Sequence, residues 1–329
     1  MTVTKGVRSR KSLSSLELIP AVRDGSTRAM ARLISRIESG DPERREALTE
    51  LYRQGGKARV VGLTGVPGCG KSTLVREYAK AHRARGQTIA VLAIDPSSPF
   101  SGGAILGDRI RMTELTGDPG IFIRSMASRG ALGGLARAAL ETVDVLDAGG
   151  FDTILLETVG VGQDEVDVAQ VAHTTIVVSA PGLGDDIQAI KAGVLEIADL
   201  HVVSKCDKQE ASRTLTELRQ MLHLGLNAGA QTAWKIPVIA SSAETGEGIE
   251  KLLNAVDQHW RHLHDSGELA DRRRMIVERR VIKLAEELVR DRFAEHRRQV
   301  GPHLVGLEQV VARERDPYTV AIELLNAFK

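Results

Sequence analysis

Lysine and serine side chains close a glycine-rich segment, GVPGCGKS, at Lys71 and Ser72. Glycines let successive backbone N–H groups turn towards phosphate oxygens, and the N-terminus of a following helix adds partial positive charge. The lysine reaches the β- and γ-phosphates, and the serine hydroxyl binds Mg²⁺. The segment therefore predicts a nucleoside triphosphate site rather than a plain glycine-rich turn. The predicted phosphate-binding residues are Gly65, Val66, Pro67, Gly68, Cys69, Gly70, Lys71, Ser72 and Thr73.

A second motif, SKCD, indicates which base the site takes. Asp207 can accept hydrogen bonds from both the N1–H and the exocyclic amine of guanine, whereas adenine offers no such pair. Lys205 is expected to lay its aliphatic stem along the base. Ser204 stands where this guanine motif usually has Asn, so we expect the loss of one bracing hydrogen bond, worth roughly 0.5–1.5 kcal/mol. The alternative is a chance cluster of polar residues at the end of a strand.

The segment SSAETGEG supplies a second loop for the base. Its Ser242 and Ala243 resemble the Ser-Ala loop whose backbone donates to the guanine O6. Two base-reading loops in the expected order favour GTP, with GDP as its product, over ATP.

Carboxylates are needed to hold Mg²⁺ in a phosphoryl-transfer site. Asp95 ends the strand-like AVLAID, Asp108 lies in the glycine-rich SGGAILGDRIRM, and Glu157 ends DTILLE. Together with Ser72, these acids form the predicted metal site. Other roles remain open: Asp95 as a cap before PSSP, Asp108 as a surface charge, and Glu157 as an ordinary polar residue at a strand end.

The loops around these acids supply the remaining catalytic candidates. Gln163, in ETVGVGQ, can orient the attacking water, although a Gln in a polar loop usually does no more than face solvent. The backbone N–H of Gly160 is expected to contact the γ-phosphate, and Arg109 and Arg111 can neutralise phosphate charge. The predicted catalytic residues are Lys71, Asp108, Glu157 and Gln163.

The elements that must position these residues alternate along the chain. Short β-branched runs, from RVVGLTG to IPVIASSA, lack polar alternation and predict strands buried on both faces, and IFIRSM is a further candidate. Helical stretches between them indicate an α/β fold: a doubly wound, mostly parallel sheet with ligands at the carboxyl ends of its strands. We assign residues 57–265 to this P-loop domain and residues 1–56 to an N-terminal helical extension.

Strands stop after about residue 265, and residues 266–329 are predicted to form a C-terminal helical arm. A helical tail that follows a completed sheet either packs back on it or meets another subunit. An apolar seam of helical spacing runs through Val277, Val281, Leu284 and Leu288.

Composition excludes several classes of protein. The 329 residues carry 44 basic and 43 acidic side chains, and this balance argues against nucleic-acid binding. No uncharged apolar run reaches the length of a membrane span, so no membrane association is expected. The two cysteines, Cys69 and Cys206, fit a reducing, cytoplasmic location. The basic start, MTVTKGVRSRKSLSS, is loosely like a mitochondrial presequence but lacks a clear amphipathic face, which favours a flexible arm.

Longer strings make the chain similar to one family. GVPGCGKST, AIDPSSPFSGGAILGDRIRM, ETVGVGQDEVDVA and PGLGDDIQAIKAGVLEIAD resemble the MeaB/ArgK family over roughly residues 16–265. That family consists of GTPases that act as chaperones of adenosylcobalamin-dependent acyl-CoA mutases. The resemblance implies low GTPase activity that the mutase stimulates, and GTP hydrolysis that gates cofactor loading and protects the mutase. It also implies magnesium acids at Asp95, Asp108 and Glu157, a functional lysine at Lys191, and a homodimer formed through the C-terminal arm.

Departures from the family pattern leave the client and the function partly open. SKCD replaces NKAD, SPFSGG replaces a Thr-Arg-Thr-Gly-Gly run, and GDR replaces GDK. Methylmalonyl-, isobutyryl- and hydroxyisobutyryl-CoA mutases are all compatible clients. Two other functions compete with the chaperone: a P-loop small-molecule kinase and a GTPase for metal insertion. Metal insertion needs a Cys/His cluster, and we interpret HWRHLH (His259, His262 and His264) as packing or solvated residues instead.

Overall fold

The protein is described here from a computed structural model. The described residues are 13–96, 113–115, 117–128, 137–158, 164–182, 197–226, 234–300 and 306–328. They divide into two compact units, with the boundary between Arg273 and Arg274. Within these ranges, no helix combines the length and the apolar character that a membrane crossing requires.

Parallel strands form a single seven-stranded sheet in the first unit. The strands are β1 (Arg59–Gly65), β2 (Ile89–Pro96), β3 (Ile121–Ser128), β4 (Thr153–Thr158), β5 (Thr174–Ser179), β6 (Leu200–Val203) and β7 (Val238–Ala240). Their spatial order is β3-β2-β4-β1-β5-β6-β7, and all neighbours pair in parallel. All carboxyl ends therefore meet at one edge of the sheet, where ligands of doubly wound folds bind. The predicted fold class is confirmed, and IFIRSM lies in β3.

Helices connect the strands and extend the chain at both ends. They are α1 (Ile19–Arg23), α2 (Thr27–Ser39), α3 (Arg44–Tyr52), α4 (Lys71–Ala84), α5 (Arg137–Ala148), α6 (Asp164–Ala169), α7 (Ala211–Leu226), α8 (Ile249–Asp265), α9 (Glu268–Val300), α10 (Leu307–Val311) and α11 (Pro317–Ala327). Short 3-10 turns occupy Leu16–Leu18 and Thr113–Leu115.

Apolar cores cover both faces of the sheet, as the uninterrupted hydrophobic runs predict. Successive side chains of β1 point to opposite faces: Val60 joins the core beneath α5 and the N-terminal helices, and Val61 joins the core beneath α4 and α8. Gly62 lets α6 approach closely, since a Cβ there would lie 3.0 Å from the side chains of Val168 and Ala172. The sheet is thus held from both sides, and its strand ends are fixed.

The N-terminal helices share the core of the first unit. Helix α2 begins after Ser26, whose hydroxyl accepts from the Ala29 N–H at 3.3 Å, and it ends at Gly40, where φ is 75°. Capping oxygens and left-handed glycines are the usual boundaries of helices. One face of α2 is buried in the same core as α5 and β4, through Met30, Leu33, Ile34 and Ile37.

The second unit, from Arg274 onwards, is helical. It contains most of the 33-residue helix α9, together with α10 and α11. Helix α11 begins with Pro317 after Asp316, whose carboxylate accepts from the Thr319 N–H at 2.9 Å. Within this unit, the rings of Phe293 and Phe328 meet edge to face at 5.4 Å.

Candidate nucleotide-binding site

The phosphate loop joins β1 to α4, as its sequence predicts. Gly65 has a φ of 145°, and a Cβ there would lie 2.1 Å from the Val178 carbonyl oxygen on β5. Gly68 and Gly70 also have positive φ, at 77° and 89°, a conformation that favours glycine. The loop ends at the N-terminus of a 14-residue helix, whose free N–H groups favour anions. These features form a cradle for phosphate.

Lys71 lies folded into this loop. Its Nζ donates to the carbonyl oxygen of Gly65 at 2.6 Å and to that of Val66 at 3.0 Å, and the residue is only 6% exposed. Charge-assisted hydrogen bonds of this kind offset the cost of burying an ammonium group. The positive charge is therefore held beside the backbone that is predicted to bind phosphate.

Ser72 and Glu157 meet at the mouth of the loop, although 85 residues separate them in the chain. The Ser72 hydroxyl donates to Oε1 of Glu157 at 2.6 Å, and Glu157 is 4% exposed. A hydroxyl next to a buried carboxylate is a set of hard oxygen donors that fits Mg²⁺. Two of the four predicted metal ligands are thus brought together.

The other predicted members of the metal and catalytic set are only partly described. Asp95 lies near the end of β2, where its backbone pairs with Ala127, but its side chain falls outside the described residues. Within the residues that the structure describes, no group of three or more His, Cys, Asp or Glu side chains gathers around a common point. Outside the described residues lie Asp108, Arg109, Arg111, Gly160, Gln163 and Lys191.

The SKCD segment contacts the phosphate loop through two side chains. The buried Ser204 hydroxyl donates to the carbonyl of Cys69 and lies 3.0 Å from that of Ser179. Lys205 has a left-handed φ of 52°, and its Nζ donates to the Gly68 carbonyl at 2.9 Å. Serine therefore keeps the contact between the two loops. Its single proton serves one carbonyl at a time, so the loss of one hydrogen bond relative to Asn stays a prediction.

The second base-reading loop is joined to the first. The N–H of Cys206 donates to the Ser241 carbonyl at 3.1 Å, and the N–H of Ser242 donates to the Glu247 carbonyl at 2.9 Å. The Ser242 hydroxyl donates to Asp207 and lowers the pKa of that carboxyl. Asp207 is therefore held ionised as an acceptor, beside the position of Ala243. This is the state that pairing with two guanine donors requires.

Both cysteines are free thiols. Burial raises the pKa of Cys69, and burial together with Glu247 raises the pKa of Cys206. Thiols with raised pKa values are poor nucleophiles. The raised pKa values therefore disfavour a nucleophilic role for either thiol.

The three histidines of HWRHLH do not form a metal cluster. His259 is buried, its Nδ1 lies 2.9 Å from Thr174 Oγ1 and its Nε2 lies 3.3 Å from Asp199 Oδ1. The Trp234 ring packs against both His259 and His262, whereas the side chain of His264 is 75% exposed. Packing and solvation account for all three.

A partly buried ion pair, which the sequence does not predict, lies at the opposite edge of the sheet, where β5 and β6 begin. Arg272 donates from both terminal nitrogens to the Asp199 carboxylate, each at 2.8 Å, and also to the His173 carbonyl. The Thr175 N–H donates to the same carboxylate at 2.7 Å. No motif marks these residues, and only the fold brings them together. The pair fastens the first turns of α9 to the amino ends of β5 and β6.

Comparisons with known proteins show the family of the chain. The model of the family described as methylmalonyl Co-A mutase-associated GTPase MeaB matches residues 30–298. A relative in Pyrococcus abyssi whose name describes it as a GTPase is 43% identical over 310 residues, covering 94% of this chain and 95% of the relative. The mouse protein named methylmalonic aciduria type A homolog, mitochondrial, is 34% identical over 344 residues, covering 99% of this chain and 82% of its own length.

A solved structure shows the same fold. The crystal structure of a LAO/AO transport system kinase superposes with a TM-score of 0.70 at 26% identity, covering 95% of this chain and 96% of that one. By its family model, its relatives and its P-loop fold, this chain belongs to the methylmalonyl Co-A mutase-associated GTPase family MeaB, and it is a GTPase.

Proposed function

We propose that this GTPase acts as a chaperone for an adenosylcobalamin-dependent acyl-CoA mutase, and that its GTP hydrolysis gates cofactor loading and protects the mutase. The observation that carries the proposal is the family match over residues 30–298, because the family is described by its association with methylmalonyl Co-A mutase. The name of the mouse relative points to the same metabolism. The client is a methylmalonyl-, isobutyryl- or hydroxyisobutyryl-CoA mutase.

The chemistry of hydrolysis is assigned to the residues around the phosphate loop. Ser72 and Glu157, which already touch, hold Mg²⁺ together with Asp95 and Asp108. Mg²⁺, when bound, neutralises charge on the β- and γ-phosphate oxygens. The Lys71 ammonium exchanges its two loop carbonyls for phosphate oxygens, which bear more negative charge.

The loop residues outside the described ranges complete this proposal. Gln163 orients the attacking water, and the N–H of Gly160 contacts the γ-phosphate. Both lie in the segment that begins directly after β4, whose buried end carries Glu157. The proposal for these two residues rests on the family resemblance and on the position of their loop.

The second unit is proposed to form a homodimer. Three residues of the predicted seam on α9 remain exposed, Val277 (42%), Val281 (59%) and Leu288 (38%), and further exposed apolar side chains lie beside them at Met275, Ile282 and Val289. Two helices associate through apolar seams of this kind. Further exposed apolar side chains lie on α10 and α11, at Leu307, Val311, Tyr318, Ile322 and Leu325.

The chaperone role is tested by measuring GTP hydrolysis with and without a purified adenosylcobalamin-dependent mutase. We expect the mutase to raise the hydrolysis rate, and Lys71→Ala to abolish triphosphate binding while the fold persists. Lys57→Ala is the matched control, because Lys57 is an exposed lysine that precedes β1, at the edge of the sheet opposite the phosphate loop. A hydrolysis rate that no such mutase changes contradicts the chaperone role.

A small-molecule kinase is the second candidate, because the solved structure with the same fold is described as a kinase. Incubation with γ-labelled GTP and a metabolite extract separates the two functions. Label released as free phosphate supports the GTPase chaperone, and label transferred to a metabolite supports the kinase.

The dimer is tested on α9. Val281→Glu with Leu288→Glu places charge on the seam, where the two side chains are 59% and 38% exposed. We expect this double variant to sediment as a monomer, while Glu286→Lys, which changes charge at an exposed position, leaves the dimer intact. A native protein that sediments as a monomer contradicts the proposed dimer.

A further inference from the structure

Two buried threonines face each other where the phosphate loop and the loop after β4 leave the sheet. Thr64 is the residue before Gly65 on β1, and Thr158 is the last residue of β4. Both are 0% exposed, and the Thr158 hydroxyl donates to Thr64 Oγ1 at 3.1 Å. Thr64 lies just before GVPGCGKS, and Thr158 is the second residue of ETVGVGQ, where the sequence assigns it no role.

Two buried hydroxyls are less favourable at this position than two apolar side chains would be. A buried hydroxyl that lacks a hydrogen bond destabilises the folded state, and two valines of similar size would avoid that penalty. Stability alone does not require the pair, since replacing both partners of a hydrogen bond by apolar groups of the same shape can be nearly neutral for folding. The role of this hydrogen bond therefore lies in the positions of the groups next to the two threonines.

The groups concerned lie on either side of the hydrogen bond. Thr158 follows Glu157, whose carboxylate accepts from Ser72 at 2.6 Å. Thr64 precedes Gly65, whose carbonyl accepts from the Lys71 ammonium at 2.6 Å. The threonine pair is thus a short link between the strand that carries the buried acid and the strand that opens the phosphate loop.

The backbone pairing of β1 with β4 stops just before this point. The last matched residues of the two strands are Leu63 and Glu157, whereas on its other side β1 pairs with β5 as far as Gly65 and Val178. The end of β1 is therefore held by backbone contacts on the β5 side. On the β4 side, the described connection beyond the ladder is the bond between the two hydroxyls.

We propose that Thr158 and Thr64 are positioning residues for GTP hydrolysis: their hydrogen bond fixes Glu157 relative to Lys71 and Ser72. Small displacements of a reacting constellation lower the rate of the chemical step more than the affinity for substrate. The proposal rests on the GTPase activity of the chain and is independent of the chaperone role. It is therefore measured on the protein alone.

The experiment is single-turnover GTP hydrolysis by the full-length protein with Mg²⁺. We expect Thr158→Val to lower the rate constant about 3- to 10-fold, the range that one hydrogen bond supplies, with little change in the affinity for GTP. Thr158→Ser keeps the hydroxyl and is expected to hydrolyse GTP within about twofold of the native rate. Thr64→Val removes the other partner of the same hydrogen bond and should lower the rate constant equally. It replaces Thr158→Val in the experiment if that variant fails to fold.

Two controls separate positioning from packing. Thr142→Val removes another hydroxyl that is 0% exposed, one that donates to the Ala138 carbonyl in its own helix at 2.7 Å, and it should leave hydrolysis unchanged. The double variant Thr64→Val with Thr158→Val should lose no more activity than either single variant, because both lack the same bond. Additive losses, an equal loss in Thr142→Val, or a loss of affinity at an unchanged rate constant overturns the proposal.

Discussion

Removal of the Ser204 hydroxyl tests how the base-reading segment supports the phosphate loop. In Ser204→Ala the Ser179 carbonyl keeps its hydrogen bond from the residue 204 N–H, at 2.8 Å in the native protein. The Cys69 carbonyl, in contrast, loses the hydroxyl donor that the native protein supplies. The substitution therefore removes a hydrogen bond from the phosphate loop and leaves the hydrogen bond at the end of β5 in place.

The expected loss of GTP affinity in Ser204→Ala follows from the removal of one buried hydrogen bond between neutral groups. Ser204 is 5% exposed, and such a bond contributes about 0.5–1.5 kcal/mol. Since about 1.4 kcal/mol corresponds to tenfold in a binding constant, we expect the Kd for GTP to rise about 2- to 10-fold. Ser204→Asn supplies a second donor to the same two carbonyls and is expected to bind GTP at least as tightly as the native protein.

Isothermal titration calorimetry with GTP and with GDP measures these affinities. Ser212→Ala, at an exposed position on α7, is the control and should bind like the native protein. Both nucleotides should be weakened equally, because the change reaches the loop that holds the phosphates they share. An unchanged affinity in Ser204→Ala refutes the idea that this hydroxyl braces the loop.

Two further predictions concern stability. Arg272→Ala leaves the largely buried Asp199 carboxylate without its charge partner and should lower the free energy of unfolding by about 2 kcal/mol, between the values typical of exposed and buried pairs. Arg213→Ala, whose side chain is 84% exposed beside Glu217, should leave it nearly unchanged, and equal effects of the two substitutions in urea denaturation contradict the assignment. Burial lowers the pKa of His82 to about 4, and it does the same for His173 and His259. Unfolding raises these values to about 6.5, so the unfolded state binds more protons and stability falls as the pH drops from about 6.5 to about 4. His82→Phe should reduce this loss when unfolding is compared at pH 7 and pH 5, and an identical pH dependence contradicts it.

The sequence identified the nucleotide loops because their chemistry is local. GVPGCGKS and SKCD each carry their functional groups within a few residues, and the hydrophobic runs before them predict strands that end at one edge. The structure adds that Lys71 folds onto its own loop and that Ser204 reaches the carbonyl of Cys69.

Contacts between distant residues could not be predicted in the same way. Asp199 and Arg272 are 73 residues apart, and Thr64 and Thr158 are 94 apart. Each pair exists because particular strands or helices are neighbours, and hydrophobic periodicity identifies strands without giving their order. The placement of β4 between β1 and β2 is what brings Thr158 next to Thr64.

The choice of guanine by Asp207 is tested most directly by exchanging its carboxylate for an amide. Asp207→Asn keeps one acceptor oxygen for the guanine N1–H but turns an NH2 donor towards the exocyclic amine of guanine, so one hydrogen bond to a charged group is replaced by two donors that face each other. We predict by calorimetry that the native protein binds GTP and not ATP. In Asp207→Asn, GTP should weaken about 100-fold or more while xanthosine triphosphate gains affinity. Unchanged GTP binding by Asp207→Asn, or a native preference for ATP, contradicts the account.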